Sequence, residues 1–314
     1  MISVVSSMKN ESGSVDELYK RIISSINSIG LLYEIVFVDD GSEDNTYELL
    51  TEIAKKDKNV IVIKLSRDFG HHAGISAGLD YTSGDYVVMM DADLQDKPEE
   101  IPNLYEKLKE GNDVVYGERV GKKFSIIRRF FSFVFLKLIQ FFINEPIVIN
   151  TTIFRIMNKK VVEAIRKLRE GQRYLVGVIG WVGFKHAVVY VKHGKRKRGK
   201  SKYNFIQQMK LAFNAIFSFS DYPVKLISRI GFLLTCLSFC MGCWVVIRRI
   251  FFHVSVVGWA SVIVSIFFFG GLNILFLGVL GEYVGRTYIE SKRRPLYIVE
   301  EIINYKNVKT SQNN

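Results

Sequence analysis

Two stretches late in this 314-residue chain carry no charged side chain, Ile230 to Ile247 and Val254 to Gly281. Each reaches or passes the roughly 18 residues at which an apolar run can cross a bilayer as a helix. A short link, Arg248 to His253, predicts a helical hairpin with both flanks on one side. Lys225 and Arg229 precede it and Arg286, Lys292, Arg293 and Arg294 follow, so the positive-inside tendency puts those flanks in the cytoplasm; Arg248 and Arg249 weaken that argument without reversing it. All three cysteines, Cys236, Cys240 and Cys243, fall in the first run and read as small buried apolar residues, not as a disulfide framework or metal site. The start, MISVVSSMKNE, lacks the basic flank and long apolar stretch of a signal peptide.

The first half follows a different rule. Short β-rich runs at Ile2–Ser6, Tyr33–Val38, Val60–Leu65, Tyr86–Met90 and Asp113–Tyr116 alternate with helix-period segments, which predicts an α/β fold built on a mostly parallel sheet covered on both faces. Ser14 and Glu17 have capping-box spacing for a helix running toward Ile29. Gly70–Leu79 is predicted helical despite its glycines, and Pro98 opens a helix that closes near Gly111.

Polar residues collect where the apolar runs end. In open sheets of this kind ligands bind beyond the carboxyl ends of the strands, and Asp39, Asp40, Arg67, Asp91 and Asp93 all follow strand-like runs. That clustering predicts a nucleotide site; for Asp39 and Asp40 the competing reading is turn chemistry around Gly41. Asp91 and Asp93 are two apart, so on an extended backbone they point the same way, and Gln95 continues the alternation. Two such carboxylates can hold a hard divalent cation on a diphosphate. By itself, D-x-D is equally a solvated acidic loop.

The formal net charge of +12 points to anionic partners. Phe124–Phe142 and Tyr203–Phe219 show apolar residues at helical spacing, the first with Arg128, Arg129 and Lys137 among them, and read as helices lying in a membrane interface or as buried core helices. Between them lies the densest positive run, Lys195–Lys202 (KRKRGKSK). No nucleic-acid-binding motif surrounds it, so a phosphate near the bilayer is the more economical partner; solvated disorder is the alternative.

Five motifs in order then carry a resemblance: VDDGSEDNT (38–46), LSRDFGHHAGISAGLDYTSGD (65–85), MDADLQDKPE (90–99), YGERV (116–120) and RKRGKSKY (196–203). Over nearly its whole length the chain resembles the inverting GT-A glycosyltransferases that act on polyprenyl phosphates, most of all the bacterial bactoprenol glucosyltransferases and more distantly the dolichyl-phosphate mannose synthases. The resemblance implies a Rossmann-like GT-A core that takes a nucleotide sugar, with UDP-glucose the expected donor, mannose, N-acetylglucosamine or a modified sugar the alternatives, and undecaprenyl or another polyprenyl phosphate the acceptor. It implies that Glu11, Asp39 and Asp40 lie against the nucleoside, with Ser7 and Arg67 on the donor side. Asp91, Asp93 and Gln95 would hold Mg²⁺ or Mn²⁺, with Asp93 essential to turnover. Arg119, Arg128 and the segment with Arg196, Ser201 and Lys202 would receive the lipid phosphate or close over the donor. A bacterial inner-membrane, multi-pass enzyme with its catalytic domain in the cytoplasm follows, with no nucleic-acid partner and a homo-oligomer expected.

Two departures stand out. Relatives usually start P-V-Y-N-E where this chain has Ser7-Met8-Lys9-Asn10-Glu11, and they carry D-x-G-x-F-R where Asn150 and Thr152 precede Phe154-Arg155. Without an aspartate at 150 the acceptor needs no base, because a phosphate monoester is already largely ionised at neutral pH. None of Trp181, Trp244 and Trp259 follows an arginine, so the Q-x-x-R-W signature of processive synthases is missing and a single transfer is expected. Competing classes are a phosphatase or phosphotransferase with Asp91 as nucleophile, which would need an early-chain aspartate and a downstream lysine and acidic cluster in matching order, and a membrane-tethered nucleotide-sugar sensor or accessory subunit of a lipid-export machine. The expected division is a donor-binding core at 1–122, an acceptor-side region with interfacial helices at 123–224, a transmembrane hairpin at 225–285 and a cytoplasmic tail at 286–314.

Overall fold

The structure is a computed structural model that describes residues 1–119, 151–171, 175–192, 194, 222–252 and 258–305. Both segments expected to form interfacial helices lie outside the described residues. The chain divides into two compact units, one of residues 1–141, 145–208 and 294–314, the other of residues 142–144 and 209–293.

The first unit is built on an eight-stranded sheet ordered β7-β5-β6-β4-β1-β2-β3-β8. Its strands are β1 (Ile2–Met8), β2 (Tyr33–Asp39), β3 (Val60–Leu65), β4 (Tyr86–Met89), β5 (Val114–Arg119), β6 (Thr151–Asn158), β7 (His186–Val191) and β8 (Val299–Ile303). β1 is parallel to β2 and β4, β2 to β3, and β5 to β7, whereas β6 runs antiparallel between β4 and β5. The expected mostly parallel sheet is therefore present. Every residue of β1 is buried, as a central strand with both faces covered requires.

Helices α1 (Val15–Asn27), α2 (Thr46–Lys56) and α4 (Ile101–Lys109) bury Leu18, Ile22, Leu50, Ile53 and Leu104 in one core with Val4, Ile35, Phe37 and Val88 of the strands. A 3₁₀ turn at Pro98–Glu100 leads into α4. Ser14 is the N-cap of α1, but its hydroxyl donates back to the carbonyl of Glu11 at 2.9 Å and caps no helix amide, so the expected capping box does not form. Glu17 turns instead to Arg21, one turn on, at 3.3 Å.

The other face of the sheet carries α3 (His71–Asp80). Its glycines are packing positions: a Cβ on Gly74 would overlap Ser7 Oγ of β1, and one on Gly78 would overlap Val5. Close approach to the strand, not flexibility, explains a helix that keeps two residues of poor helix propensity. After β6 come α5 (Lys159–Lys167), whose N-cap Asn158 accepts from the Val161 amide at 3.2 Å, and α6 (Leu175–Trp181).

The segment expected to be a tail contributes β8, antiparallel to β3 with Lys64 opposite Glu301. Lys64 pairs with Glu300 at 3.0 Å, and the Tyr47 hydroxyl donates to Glu301 at 2.7 Å. Beyond β8 the Asn304 amide donates to the carbonyls of Ala54 at 2.6 Å and Val60 at 3.0 Å. Ahead of β8, the Tyr297 hydroxyl and the Arg169 guanidinium both donate to the Asp80 carboxylate at the end of α3.

The second unit contains α7 (Tyr222–Phe252) and α8 (Trp259–Ser291), both long and apolar enough to cross a membrane, with stretches at Tyr222–Trp244 and Val262–Ser291 of mean hydropathy 1.8 and 2.4. Two expectations need correction. The helix continues through Arg248 and Arg249, which are good helix formers, so the link is not Arg248–His253 but the short stretch between Phe252 and Trp259. Cys236, Cys240 and Cys243 are exposed on α7 and not buried, as befits a helix whose apolar surface faces outward.

Candidate active site

Strand order puts β4 and β2 on opposite sides of β1, with β3 beyond β2, so the chain reverses direction across the sheet between β1 and β4. Loops leaving the carboxyl ends there splay apart and open a crevice. Both acidic pairs sit at this edge. Asp39 ends β2, Asp40 follows it, and Asp91 and Asp93 follow β4.

The first pair is built into the protein. Asp39 and Asp40 are 1% and 2% exposed. Asp39 accepts from the Ser42 amide at 3.3 Å through Oδ2, while its Oδ1 is buried without a hydrogen-bond partner among the described residues. Asp40 Oδ1 accepts from the Phe69 amide at 2.8 Å. Burial raises both carboxyls above the ordinary carboxylate range. Around them the loops cross-bond: Asn10 N to Ser42 Oγ at 3.0 Å, Glu43 N to Asn10 Oδ1 at 2.8 Å and Glu11 N to Thr46 Oγ1 at 3.0 Å. An orphaned buried carboxylate oxygen costs about 1–3 kcal/mol and marks a place where a ligand can supply the missing donor.

The second pair is open. Asp91 keeps 29% of its side-chain surface accessible. From Asp91 to Gln95 half-buried and buried residues alternate: Ala92 and Leu94 are buried, and Asp91, Asp93 and Gln95 are half-buried. The backbone is a loop and not a strand: Leu94 has φ of 60°, and the Gln95 amide donates to Asp93 Oδ1 at 3.0 Å. This donor set, two carboxylates and an amide oxygen, suits Mg²⁺ or Mn²⁺. Among the described residues no three His, Cys, Asp or Glu side chains converge on one point.

Ser7 is buried under Gly74 of α3 and forms part of the floor. The Glu11 backbone carbonyl and carboxylate both receive the Ser14 hydroxyl, at 2.9 and 3.3 Å. Arg67 is exposed two residues beyond β3 with its guanidinium 4.6 Å from the Phe69 ring centroid. Arg119 is the last residue of β5, opposite Val191. Arg128, Asn150, Arg196, Ser201 and Lys202 lie outside the described residues.

Three features escaped the sequence reading. His71, the first residue of α3, places Nε2 3.1 Å from Asp91 Oδ1. Its surroundings disfavour the charged imidazole, but that hydrogen bond and the charges of Asp91, Asp40 and Asp93 outweigh this and leave its pKa raised. The neighbouring His72 is pushed down to about 4 by burial and by the charges of His71 and Arg155. Arg155 is fully buried opposite Met89 of β4 and Tyr116 of β5, 4.9 Å from the Tyr116 ring. Finally, the chain leaving β7 comes down on the acidic loop, where the Gly194 amide donates to the Gln95 carbonyl at 2.8 Å. The basic run begins at the next residue.

The glycosyl transferase family 2 model matches residues 3–166. The bactoprenol glucosyl transferase of Shigella phage SfV is 37% identical over 95% of this chain and 98% of its own length. The prophage bactoprenol glucosyl transferase homolog of Escherichia coli K12 is 36% identical over 96% of this chain and 99% of its own. Among solved structures, glucosyl-3-phosphoglycerate synthase of Mycobacterium tuberculosis, in complex with Mn²⁺, UDP and phosphoglyceric acid, aligns with TM-score 0.49 and 20% identity over 69% of this chain and 76% of that one. With its carboxylates gathered on the carboxyl edge of a mostly parallel sheet and its near full-length similarity to these transferases, the chain belongs to glycosyl transferase family 2 and has the GT-A fold.

Proposed function

We propose that this protein is a membrane-bound inverting glycosyltransferase that moves one glucose unit from UDP-glucose to the phosphate of a polyprenyl phosphate. The observation that carries the reading is the buried Asp39–Asp40 pair and the open Asp91–Asp93 loop meeting at one sheet edge, in a chain similar over 95% of its length to a bactoprenol glucosyl transferase. The Asp39 oxygen that lacks a partner among the described residues suits the imide N–H of a uracil base, and the acidic loop suits a diphosphate held through a cation.

Asp91, Asp93 and Gln95 would hold the divalent ion. Such an ion stabilises negative charge on the departing diphosphate. The polyprenyl phosphate arrives largely as a dianion, so its oxygen attacks the anomeric carbon without surrendering a proton. The new C–O bond forms as the bond to the UDP oxygen breaks, and displacement from the opposite side gives a β-linked product from an α-linked donor. What the chain must contribute is alignment and positive charge. Arg119, Arg128 and the Arg196–Lys202 run are assigned that part, a role favoured by the landing of Gly194 on Gln95. The basic flanks of α7 and α8 support a cytoplasmic catalytic unit at the inner membrane, and residues 1–122, 123–224 and 225–285 are assigned to donor binding, acceptor binding and membrane anchoring.

Membranes containing the protein, given UDP-[¹⁴C]glucose, Mn²⁺ and undecaprenyl phosphate, should move label into the organic phase as a mild-acid-labile lipid. Label that enters this phase only from a different nucleotide sugar replaces glucose in the reading. No lipid product from any donor, with donor binding intact, replaces transfer with sensing.

A further inference from the structure

We infer that His71 is the positioning residue of the cation site, holding the Asp91 carboxylate in place by an Nε2–H bond to Oδ1. The inference rests on the metal-bridged donor reading above. A carboxylate accepts and does not donate, so at 3.1 Å the proton between the two atoms belongs to the imidazole nitrogen. Asp91 sits on a loop with a left-handed residue at Leu94, without the ladder bonds that would fix a strand residue. A side chain on such a loop takes its orientation from its neighbours, and the first residue of α3 is one of them.

That helix is held with unusual firmness at the end that matters. Gly70 turns with φ of 90°, its amide bonded to Asp68 Oδ1 at 2.8 Å. The preceding Phe69 amide is fixed on Asp40 Oδ1, also at 2.8 Å. The Gly70 carbonyl receives the amides of Ala73 and Gly74 at 2.9 and 3.1 Å, closing the first turn. Gly74 then lies flush on Ser7 of β1. The imidazole is thereby tied through two residues of backbone to Asp40 and through its ring to Asp91. One rigid turn links the two acidic pairs, so the cation end of the donor is registered against the nucleoside end. Partners of this kind set ligand orientation, and their loss typically weakens metal binding by 10- to 100-fold.

The test is Mn²⁺ binding followed by the electron paramagnetic resonance signal of free Mn²⁺, with UDP present, on the full-length protein in detergent. His71→Ala should weaken Mn²⁺ by roughly 10-fold or more. His71→Gln, which keeps an N–H donor, should recover part of that loss. Metal-free UDP binding, read by calorimetry, should be unchanged in both. Mn²⁺ binding as tight in His71→Ala as in the parent overturns the inference, and so does an equal loss of metal-free UDP binding, which would mark His71 as a packing residue. Asp91→Asn separates the two levels: if it too binds Mn²⁺ like the parent, the donor reading itself fails, whereas if it alone loses Mn²⁺ only the role of His71 falls.

Discussion

The two acidic pairs lie at the same sheet edge and are built in opposite ways. Asp39 and Asp40 are 1% and 2% exposed, and each accepts a backbone amide from a loop that crosses over it. Asp91 is 29% exposed, and the loop that carries it is steadied from outside by the His71 ring and by Gly194. On the function proposed above, the difference would separate recognition from chemistry. A buried carboxylate with one unsatisfied oxygen reads a ligand by a fixed hydrogen bond and bears a desolvation cost while it waits. A carboxylate with part of its surface in water can take up a cation along with the substrate.

Substitutions can break or sharpen that contrast. The largest effect should come from Asp93→Asn, which removes charge from the open pair: turnover with Mn²⁺ should fall by about 10²-fold or more while the melting temperature stays unchanged, measured by lipid-phase label and by thermal unfolding. Next, Gly74→Ala should press α3 away from β1, costing about 1–3 kcal/mol of stability in denaturant titration and weakening Mn²⁺ and UDP together, because both pairs depend on that helix. Asn304→Ala should cost about 1–2 kcal/mol by leaving the carbonyls of Ala54 and Val60 without their side-chain donor, with donor affinity unchanged.

The smallest effect, and the sharpest, concerns Asp39→Asn. Burial raises the folded-state pKa of Asp39 above its unfolded value, so the folded protein binds more protons than the unfolded chain in the window between them. Its contribution is therefore least unfavourable at low pH and opposes folding once pH has risen through that window. Asp39→Asn should raise the melting temperature by a few degrees at pH 7, with the gain shrinking toward pH 4, while UDP binding weakens.

The carboxylates of the site were legible because they end apolar runs, and a parallel sheet puts all such ends on one side. Asp39, Asp40, Asp91 and Asp93 could be placed by that argument alone. His71 could not: its partner lies 20 positions away on another strand's loop, and nothing in a histidine pair at a glycine turn tells which carboxylate the ring will meet. Gly74 and Gly78 lowered the helical expectation for α3, since glycine is a poor helix former, while the reason they are there lies in Ser7 and Val5 of β1. β8 was hidden for a related reason. Its sequence, Val299-Glu300-Glu301-Ile302-Ile303, has two adjacent acids in place of clean alternation, and these find Lys64 and Tyr47 more than two hundred positions earlier. Local pattern carries the ends of strands well and carries partnerships across the fold poorly.

That late strand has a practical consequence. Because residues 294–314 belong to the sheet-bearing unit, the two apolar helices are an insertion within it and not an appendage at its end. Cutting the chain ahead of the helices to obtain a water-soluble enzyme would strip β3 of its neighbour and leave a bare strand margin open to self-association. A shortened version that splices residues 294–305 back behind the catalytic portion through a flexible connector keeps that margin sealed.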